Sequence, residues 1–253
     1  ESFQYVYENI KKDVHLSSIA GGTDMVGCLV LGNLYSKVYK GEIQGQSLGI
    51  DVDVFDEKGK SAKDGEKGEL VIKQPFPSMP LKFWGDDSGE KYHRAYFTRF
   101  KNIWHHGDFI ERTSNNGFIM RGRSDTTLNP GGVRIGTSEI YQQVEDIDFI
   151  NEGLVVGQDY QNDVRIILFV TTRDNKELDE EKIKFIKNKI RKNCSPKHVP
   201  SLIKKVPEIP RTKSGKIVEL AVRKVINGEE INNKEAIANP DSLNFFKDLN
   251  ELK

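Results

Sequence analysis

The chain has 253 residues, enough for one large domain or two smaller ones. Its 38 basic and 38 acidic residues give a formal net charge of zero, so no global field attracts nucleic acid or an anionic membrane. The mean hydropathy is −0.57, and no apolar run approaches the roughly 18 residues of a membrane span. We therefore expect no nucleic acid and no membrane among its partners.

The cysteines and the first residues bear on the compartment. Cys28 and Cys194 lie far apart and fit no zinc or redox spacing, which is typical of reduced thiols in the cytosol. The opening ESFQYVYENIKKD lacks the apolar core of a secretory signal. We predict a cytoplasmic protein and, since no methionine begins it, a piece of a longer chain.

The first half of the chain predicts a helix followed by short strands. Ser2 can cap a short helix whose apolar residues recur at helical spacing. VHLSSIA, residues 14–20, predicts a strand that leads into GGTD. Residues 38–74 alternate in short runs broken by glycine, which predicts hairpins. Within them DEKGK predicts a turn, and GELVIKQP predicts a strand that ends at proline.

The second half predicts three helices and a hairpin. TSEIYQQVEDI has a serine or threonine N-cap, an early glutamate and an amphipathic pattern. GLVVG and VRIILFVTT predict paired strands, and DEEKIKFIKNKIRKN predicts a helix with an acidic start. KIVELAVRKVING predicts a helix closed by Gly228. The tail contains one apolar cluster, Leu243, Phe245 and Phe246. Either this cluster docks on the domain or the tail stays partly disordered.

A boundary between two parts is predicted at residues 122–132, where Gly, Pro, Asp and Ser accumulate. We predict an α+β chain. Residues 1–124 would hold a strand and helix piece with barrel-like hairpins. Residues 125–253 would hold helices around a short sheet, with a tail at about 229–253.

Four motifs contain the residue types that chemistry needs: GGTD at 21–24, WHHGD at 104–108, RGRSDTTLNPGGVRIGTSEIY at 121–141 and PRTKSGKI at 210–217. Each has a plain alternative when taken alone. GGTD is also an ordinary turn sequence, and the two histidines either fill space or belong to a metal site with too few ligands. RTKSGKI is either a solvated basic turn or a loop that delivers Lys216 to an anion.

The order and spacing of the four motifs resemble the adenylate-forming family, which includes acyl-CoA synthetases, firefly luciferase and the adenylation domains of peptide synthetases. The resemblance covers essentially the whole chain. It implies ATP, Mg²⁺ and CoA. A carboxylate would attack the α-phosphate of ATP and release pyrophosphate, and the thiol of CoA would then displace AMP from the acyl-adenylate.

The resemblance assigns nucleotide contacts to five positions. Thr23 would bond the α-phosphate, and Asp24 would help to hold Mg²⁺, where most relatives have the longer Glu. Asp108 would accept both ribose hydroxyls, since an ionised carboxylate has two acceptor oxygens. Arg123 would contact the ribose and Arg134 the phosphates. Alone, Arg134 is equally a surface cation before a helix.

The resemblance also assigns the moving parts. Asp125 would be the hinge about which the C-terminal domain rotates between two half-reactions. Gly131 and Gly132 would line the pantetheine tunnel, a role compatible with a plain turn. Arg191 would meet the 3′-phosphate of CoA or be a solvated helix-face residue. Lys216 would enter the site only for adenylation, where it meets the substrate carboxylate and the α-phosphate.

Several stretches resemble the branch of this family that activates acetoacetate: SIAGGTDMVGC, QPFPSMPLKFWGD, KYHRAYF and the tail sequence NPDSL. Acetoacetate, ATP and CoA are then the expected substrates, with a role in lipid and ketone-body metabolism. The alternatives are acetate, propionate or butyrate as the acid, or a non-catalytic nucleotide-binding module. The phosphate-gripping loop of the family should lie upstream of GGTD. We therefore expect the end of a large domain plus a mobile lid domain, inactive by itself.

Overall fold

The computed structural model describes residues 2–231 and 234–252, which form two compact units divided between Arg121 and Gly122. Helices and sheets are mixed, as predicted. Over the described residues the strands form three sheets, and none of them closes into a barrel. None of the helices in those ranges combines the length and apolar character needed to cross a bilayer.

The first unit consists mostly of short strands. In chain order its helices and strands are α1 (Ser2–Asn9), β1 (Ala20–Gly22), β2 (Gly27–Leu31), β3 (Gly45–Gln46), β4 (Val52–Phe55), β5 (Lys67–Ile72), α2 (Glu90–Tyr96), β6 (Trp104–Arg112) and β7 (Phe118–Arg123). β1, β2 and β3 pair antiparallel in one sheet, and a second sheet has the order β4-β5-β6-β7. The predicted first helix is confirmed as α1.

The strand predicted at residues 14–20 was wrong. Those residues are irregular up to Ala20, where β1 begins. Ala20 pairs with Val30, and the partner strand ends one residue later, so the preceding residues have no ladder to join. Ile19 is 64% exposed, which shows that the alternation there does not mark a buried face.

The predicted hairpins in residues 38–74 are confirmed for β4 and β5, which pair antiparallel. The DEKGK turn is closed by the Asp56 N–H, which donates to the Lys60 carbonyl at 2.8 Å. β5 ends at Ile72, before Pro75, as expected because proline has no N–H to donate to a strand ladder. The inward residues of both sheets share one apolar core with Trp104 and Tyr96.

The second unit is a three-stranded sheet between helices. Its helices and strands are α3 (Thr137–Val144), β8 (Ile150–Tyr160), β9 (Asp163–Thr172), α4 (Glu180–Asn193), β10 (Leu202–Lys205) and α5 (Glu219–Ile226). The order is β10-β9-β8, with β8 and β9 antiparallel as predicted. β10 pairs parallel with β9 and was not predicted, because four residues show too little alternation.

Two helix starts differ from the predictions. The N-cap of α3 is Gly136, and its N–H donates to Glu139 Oε1 at 3.0 Å, so the glutamate acts as foreseen while the serine or threonine cap was wrong. α5 begins at Glu219, because Val218 still bonds back to the Pro210 carbonyl. Its end at Gly228, with φ 74°, is as predicted.

Alternate residues of β8 and β9 face two separate cores. Val155 and Leu168 pack under α3 and α4, whereas Leu154 and Phe169 pack under α5 and the C-terminal tail. In that tail Leu243 and Phe246 are buried, and Phe245 is 40% exposed. The tail therefore docks on the sheet, which decides between the two predicted alternatives.

Candidate active site

The GGTD motif forms the turn between β1 and β2. Thr23 and Asp24 lie in its exposed part, and the Thr23 carbonyl accepts from the Val26 N–H at 3.3 Å. A Cβ at Gly22 would lie 2.1 Å from Asp24 Oδ1 and 2.8 Å from His106 Cε1. Glycine at this position therefore lets the Asp24 carboxylate and the His106 ring come close to the same backbone, which brings the first two motifs together.

An aromatic side chain holds Asp24. The Tyr96 hydroxyl donates to Asp24 Oδ2, and the Tyr96 ring stacks on Trp104 with centroids 3.7 Å apart. The role of Tyr96 was not predicted. Its only signal was the KYHRAYF stretch, where Tyr92 and Tyr96 share one helix face at a spacing of four.

Asp108 lies in a bulge of β6. The register between β5 and β6 is irregular between Glu69 and Val71, where the three residues 106–108 stand opposite one residue of β5. Gly107 has φ 87°, a conformation that glycine adopts without steric cost. Bulges re-aim side chains and are frequent beside active sites. The bulge explains why Asp108, only 8% exposed, leaves the regular alternation of the strand.

The two histidines of WHHGD have different surroundings. His105 Nε2 lies 3.0 Å from an oxygen of the fully buried Glu69. His106 Nε2 lies 3.7 Å from Asp108 Oδ2, and its Nδ1 accepts from Trp104 Nε1 at 3.2 Å. His105 is therefore structural, whereas His106 lies between the GGTD turn and Asp108. Sequence reasoning did not separate the two.

The donor set fits Mg²⁺ brought in by a nucleotide. Among the described residues no three His, Cys, Asp or Glu side chains group closely enough to hold a metal ion. Asp24 offers hard carboxylate oxygens at the surface of the turn. Mg²⁺ is usually held by one or two carboxylates together with substrate phosphates, so a lone aspartate is compatible with the metal.

The GRSD segment, which contains the predicted hinge residue Asp125, begins the second unit. Arg123 Nε lies 3.5 Å from Asp125 Oδ1, and both side chains are about half exposed. Ser124–Thr126 forms one 3-10 turn, and Arg223 of α5 donates to the Asp125 carbonyl at 3.3 Å. The backbone at Asp125 is thus tied to α5.

The half-buried carboxyl of Glu219 lies beside this turn. The Tyr141 hydroxyl donates to Glu219 and accepts from the Val155 N–H at 3.0 Å. Thr126 and Thr137 also donate to Glu219. Burial raises the pKa of Glu219, and burial together with the Glu219 charge raises the pKa of Tyr141 well above its usual value. No sequence motif marked this cluster.

The two glycines predicted to line the pantetheine tunnel both have positive φ, 56° at Gly131 and 77° at Gly132. The Gly131 N–H donates to Asp163 at 2.8 Å, and a Cβ there would lie 2.5 Å from Lys197 Nζ. Gly132 faces open space, where a Cβ would meet nothing within 4 Å. Both glycines are therefore needed for the turn, and Gly132 also leaves room beside the backbone.

The lysine loop, residues 211–217, is a tight turn closed by backbone bonds. The Thr212 N–H donates to the Lys216 carbonyl at 2.8 Å, and the Lys216 N–H donates to Thr212 Oγ1 at 3.0 Å. Gly215 has φ 83°. Lys216 is exposed, and its ammonium has no hydrogen bond or ion pair with the described residues of its own unit. The loop fixes the backbone of Lys216 and leaves the charge available.

The predicted site residues are thus distributed over both units. The first unit brings Asp24 and Asp108 close to His106, and Thr23 precedes Asp24 in the same turn. The second unit joins Arg123 to Asp125. Its other three predicted residues lie on separate segments. Arg134 is half-buried in residues 133–136, Arg191 is exposed near the end of α4, and Lys216 lies in the lysine loop.

Known acetoacetyl-CoA synthetases are similar in sequence to this chain over its whole length. No protein-family model matches the chain. The acetoacetyl-coenzyme A synthetase of Rhizobium meliloti (strain 1021) is 57% identical over 253 residues, which is 100% of this chain and 39% of that protein. The chain is homologous to the C-terminal part of acetoacetyl-CoA synthetases. The Xenopus tropicalis acetoacetyl-CoA synthetase is 44% identical over 100% of this chain and 38% of its own length.

A solved structure shows the same fold. The acetoacetyl-CoA synthetase from Streptomyces lividans superposes with a TM-score of 0.89 at 37% identity, over 97% of this chain and 38% of that one. The resemblance to the adenylate-forming family is thereby confirmed. The chain spans less than two-fifths of the length of the acetoacetyl-CoA synthetases that it matches.

Proposed function

We propose that the full-length protein containing this chain is an AMP-forming ligase that joins acetoacetate to CoA at the expense of ATP. The observation that carries the proposal is 57% identity to an acetoacetyl-coenzyme A synthetase over every residue of the chain. A carboxylate oxygen of acetoacetate attacks the α-phosphorus, and the bond to the β-phosphate breaks to release pyrophosphate. The CoA thiol loses its proton and attacks the acyl carbon, and AMP leaves with the electrons of the acyl–oxygen bond.

The first unit holds the nucleotide in this proposal. Thr23 bonds the α-phosphate from the exposed GGTD turn. Asp108 accepts the ribose hydroxyls, and the bulge of β6 with the nearby His106 supports its orientation. Asp24 holds Mg²⁺ while Tyr96 fixes one carboxylate oxygen. The metal, when bound, neutralises phosphate charge and so lets a second anion approach.

The second unit supplies the remaining contacts. Arg123 reaches the ribose from the hinge turn, and Arg134 meets the phosphates. Asp125 is the point about which this unit, as the lid, rotates between the two half-reactions. Gly131 and Gly132 border the path of the pantetheine thiol.

Arg191 meets the 3′-phosphate of CoA in the same proposal. It lies exposed in the last turn of α4, where a guanidinium is accessible to a bulky anion. The cytoplasmic location and the absence of nucleic-acid and membrane partners stay predictions.

Lys216 is the catalytic residue of adenylation. Adenylation brings two anions together, the acid carboxylate and the α-phosphate, and a cation between them stabilises the charge of the transition state. The Lys216 ammonium is exposed at the end of a rigid turn and is free of partners among the described residues of its unit. It is therefore available to both anions.

Pyrophosphate release by the full-length protein tests the proposal. We expect ATP, Mg²⁺ and CoA to support release with acetoacetate at a higher kcat/KM than with acetate, propionate or butyrate. A preference for one of the other acids would overturn acetoacetate as the substrate. No release with any of these acids would overturn the ligase.

A further inference from the structure

The C-terminal tail runs antiparallel beside the lysine loop and is joined to it by one isolated bridge. Thr212 and Ile237 form an antiparallel bridge. The Ala238 N–H donates to the Arg211 carbonyl at 2.8 Å, and the Lys213 N–H donates to the Ala236 carbonyl at 3.3 Å. The outer edge of the loop thus takes its backbone partners from tail residues 236–238.

One tail side chain fixes the start of the loop. Asn239 Oδ1 accepts from the Arg211 N–H at 2.8 Å, and its Nδ2 donates to the Ile209 carbonyl at 3.1 Å and to Glu208 Oε1 at 2.7 Å. A single amide therefore clamps the backbone on both sides of Pro210, which has no N–H to offer. The clamp sets the direction in which the chain enters the loop.

Buried residues on either side hold Asn239 in place. Ile237 is 6% exposed and lies in the core under α5. After Asn239, the Ser242 hydroxyl donates to the Asn239 carbonyl at 2.6 Å, and Phe246 packs edge-on against Phe169 of the sheet at 4.8 Å. The clamp is thus anchored in the hydrophobic core of the second unit.

We infer that tail residues 236–239 set the shape of the lysine loop and that Asn239 is a positioning residue for Lys216. The inference rests on the proposed function. Within the described part of its unit, the Lys216 side chain has no hydrogen bond or ion pair to orient it, so its approach to the carboxylate and the α-phosphate depends on the loop backbone. Because Lys216 acts in adenylation alone, loss of the clamp impairs adenylation and spares thioester formation.

The test compares Asn239→Ala with Asn244→Ala in the full-length protein. Asn244 is an exposed asparagine of the same tail whose side chain bonds exposed Lys247 and not the loop. Adenylation is measured as acid-dependent exchange of pyrophosphate into ATP, and thioester formation is measured from supplied acyl-adenylate and CoA. We expect Asn239→Ala to slow adenylation between about 10-fold and 10²-fold, the scale of an ångström-sized misplacement, with thioester formation unchanged.

Asn239→Asp serves as the second variant. It keeps the acceptor for the Arg211 N–H, but it replaces the donor by a carboxylate oxygen that faces Glu208 Oε1 and the Ile209 carbonyl. Like charges and facing acceptors repel, so its adenylation rate should fall at least as far as that of Asn239→Ala. Asn244→Ala should match wild type in both half-reactions. If Asn239→Ala does not yield folded protein, the ratio of the two half-reactions in Asn239→Asp decides in its place.

Equal loss of both half-reactions, or loss of neither, would overturn the inference. Lys216→Gln in the same assays separates this failure from failure of the proposed function. If Lys216→Gln stops adenylation while Asn239→Ala leaves it intact, only the positioning role falls. If Lys216→Gln itself leaves adenylation intact, the catalytic role of Lys216 falls with it.

Discussion

Asp108 and Lys216 belong to regions that position a functional group by different means. Asp108 is 8% exposed in a bulge of a buried strand, 3.7 Å from His106. Lys216 is exposed on a loop whose turn and tail contacts are made by backbone atoms, Thr212 and Asn239. In the first region the side chain itself is held, and in the second region only the backbone is held.

The difference matches the tasks that the proposed reaction sets. A ribose stays bound through both half-reactions, so the residue that accepts its hydroxyls is best held rigidly. A lysine that serves one half-reaction must enter and leave the site. The loop holds the Lys216 backbone, whereas the ammonium has no hydrogen bond or ion pair among the described residues of its unit that would have to break when it moves.

The largest expected effect is that of Lys216→Gln. It removes the cation between two anions, so adenylation should fall about 10³-fold, the upper range for loss of one group that stabilises transition-state charge. Thioester formation from supplied acyl-adenylate should persist. Lys213→Gln, which removes an exposed lysine of the same loop, is the matched control and should leave adenylation near wild type.

Asp108→Asn should have the next largest effect. A neutral amide replaces a carboxylate that accepts two hydroxyls, and hydrogen bonds to charged groups contribute about 1.5–3 kcal/mol, or roughly 10-fold to 10²-fold. Both half-reactions should be slowed, in contrast to Lys216→Gln. Asp87→Asn, at a 95% exposed side chain beside Lys82, is the control. An effect confined to adenylation would contradict the ribose role.

Tyr96→Phe tests the support of Asp24 and should cost about 10-fold in kcat/KM for Mg²⁺–ATP, the value of one hydrogen bond to a carboxylate. The control is Tyr92→Phe on the same helix, because the Tyr92 hydroxyl has no hydrogen-bond partner among the described residues. In a Mg²⁺ titration, Tyr96→Phe alone should need a higher Mg²⁺ concentration to reach half of its maximal activity. Equal behaviour of the two variants would show that the hydroxyl does not position Asp24.

Glu219→Gln should have the smallest effect, on stability against pH. Burial raises the pKa of Glu219, so the folded chain binds this proton more tightly than the unfolded chain. Its contribution to the free energy of unfolding is greatest below the ordinary pKa of glutamate and is lost as the pH rises through the raised value. The loss is about 1.4 kcal/mol for each pH unit that separates the folded-state pKa from the unfolded-state pKa.

Urea unfolding of the chain between mildly acidic and neutral pH measures this contribution. Glu219→Gln should give a flatter profile than wild type, and Glu230→Gln, at an exposed tail position, should not. An unchanged slope in Glu219→Gln would mean that the Glu219 carboxyl is not shielded from solvent as the structure has it.

Local patterns in the sequence were sufficient for much of the fold. The spacing of Ile186 and Ile190 predicted the buried face of α4, and Gly215 and Gly228 marked turns that need positive φ. VHLSSIA failed because a strand also needs a partner, and alternation does not say whether one is present.

The residues that hold the candidate site residues in place could not be predicted from local sequence patterns. Tyr96 lies 72 residues from Asp24, and Tyr141 lies 78 residues from Glu219. Asn239 reaches Arg211 across 28 residues, although its own segment reads as a polar loop. Periodicity shows which face of an element is buried, but the pairing of one face with another is settled only by tertiary packing.

One measurement tests the proposed division of roles most directly. It compares the rates of the two half-reactions in Lys216→Gln and in Asp108→Asn, side by side in the full-length protein. We predict that Lys216→Gln loses adenylation and keeps thioester formation, whereas Asp108→Asn is impaired in both. A Lys216→Gln enzyme that loses both half-reactions to the same degree would contradict this division, because the lysine loop would then not serve a single step.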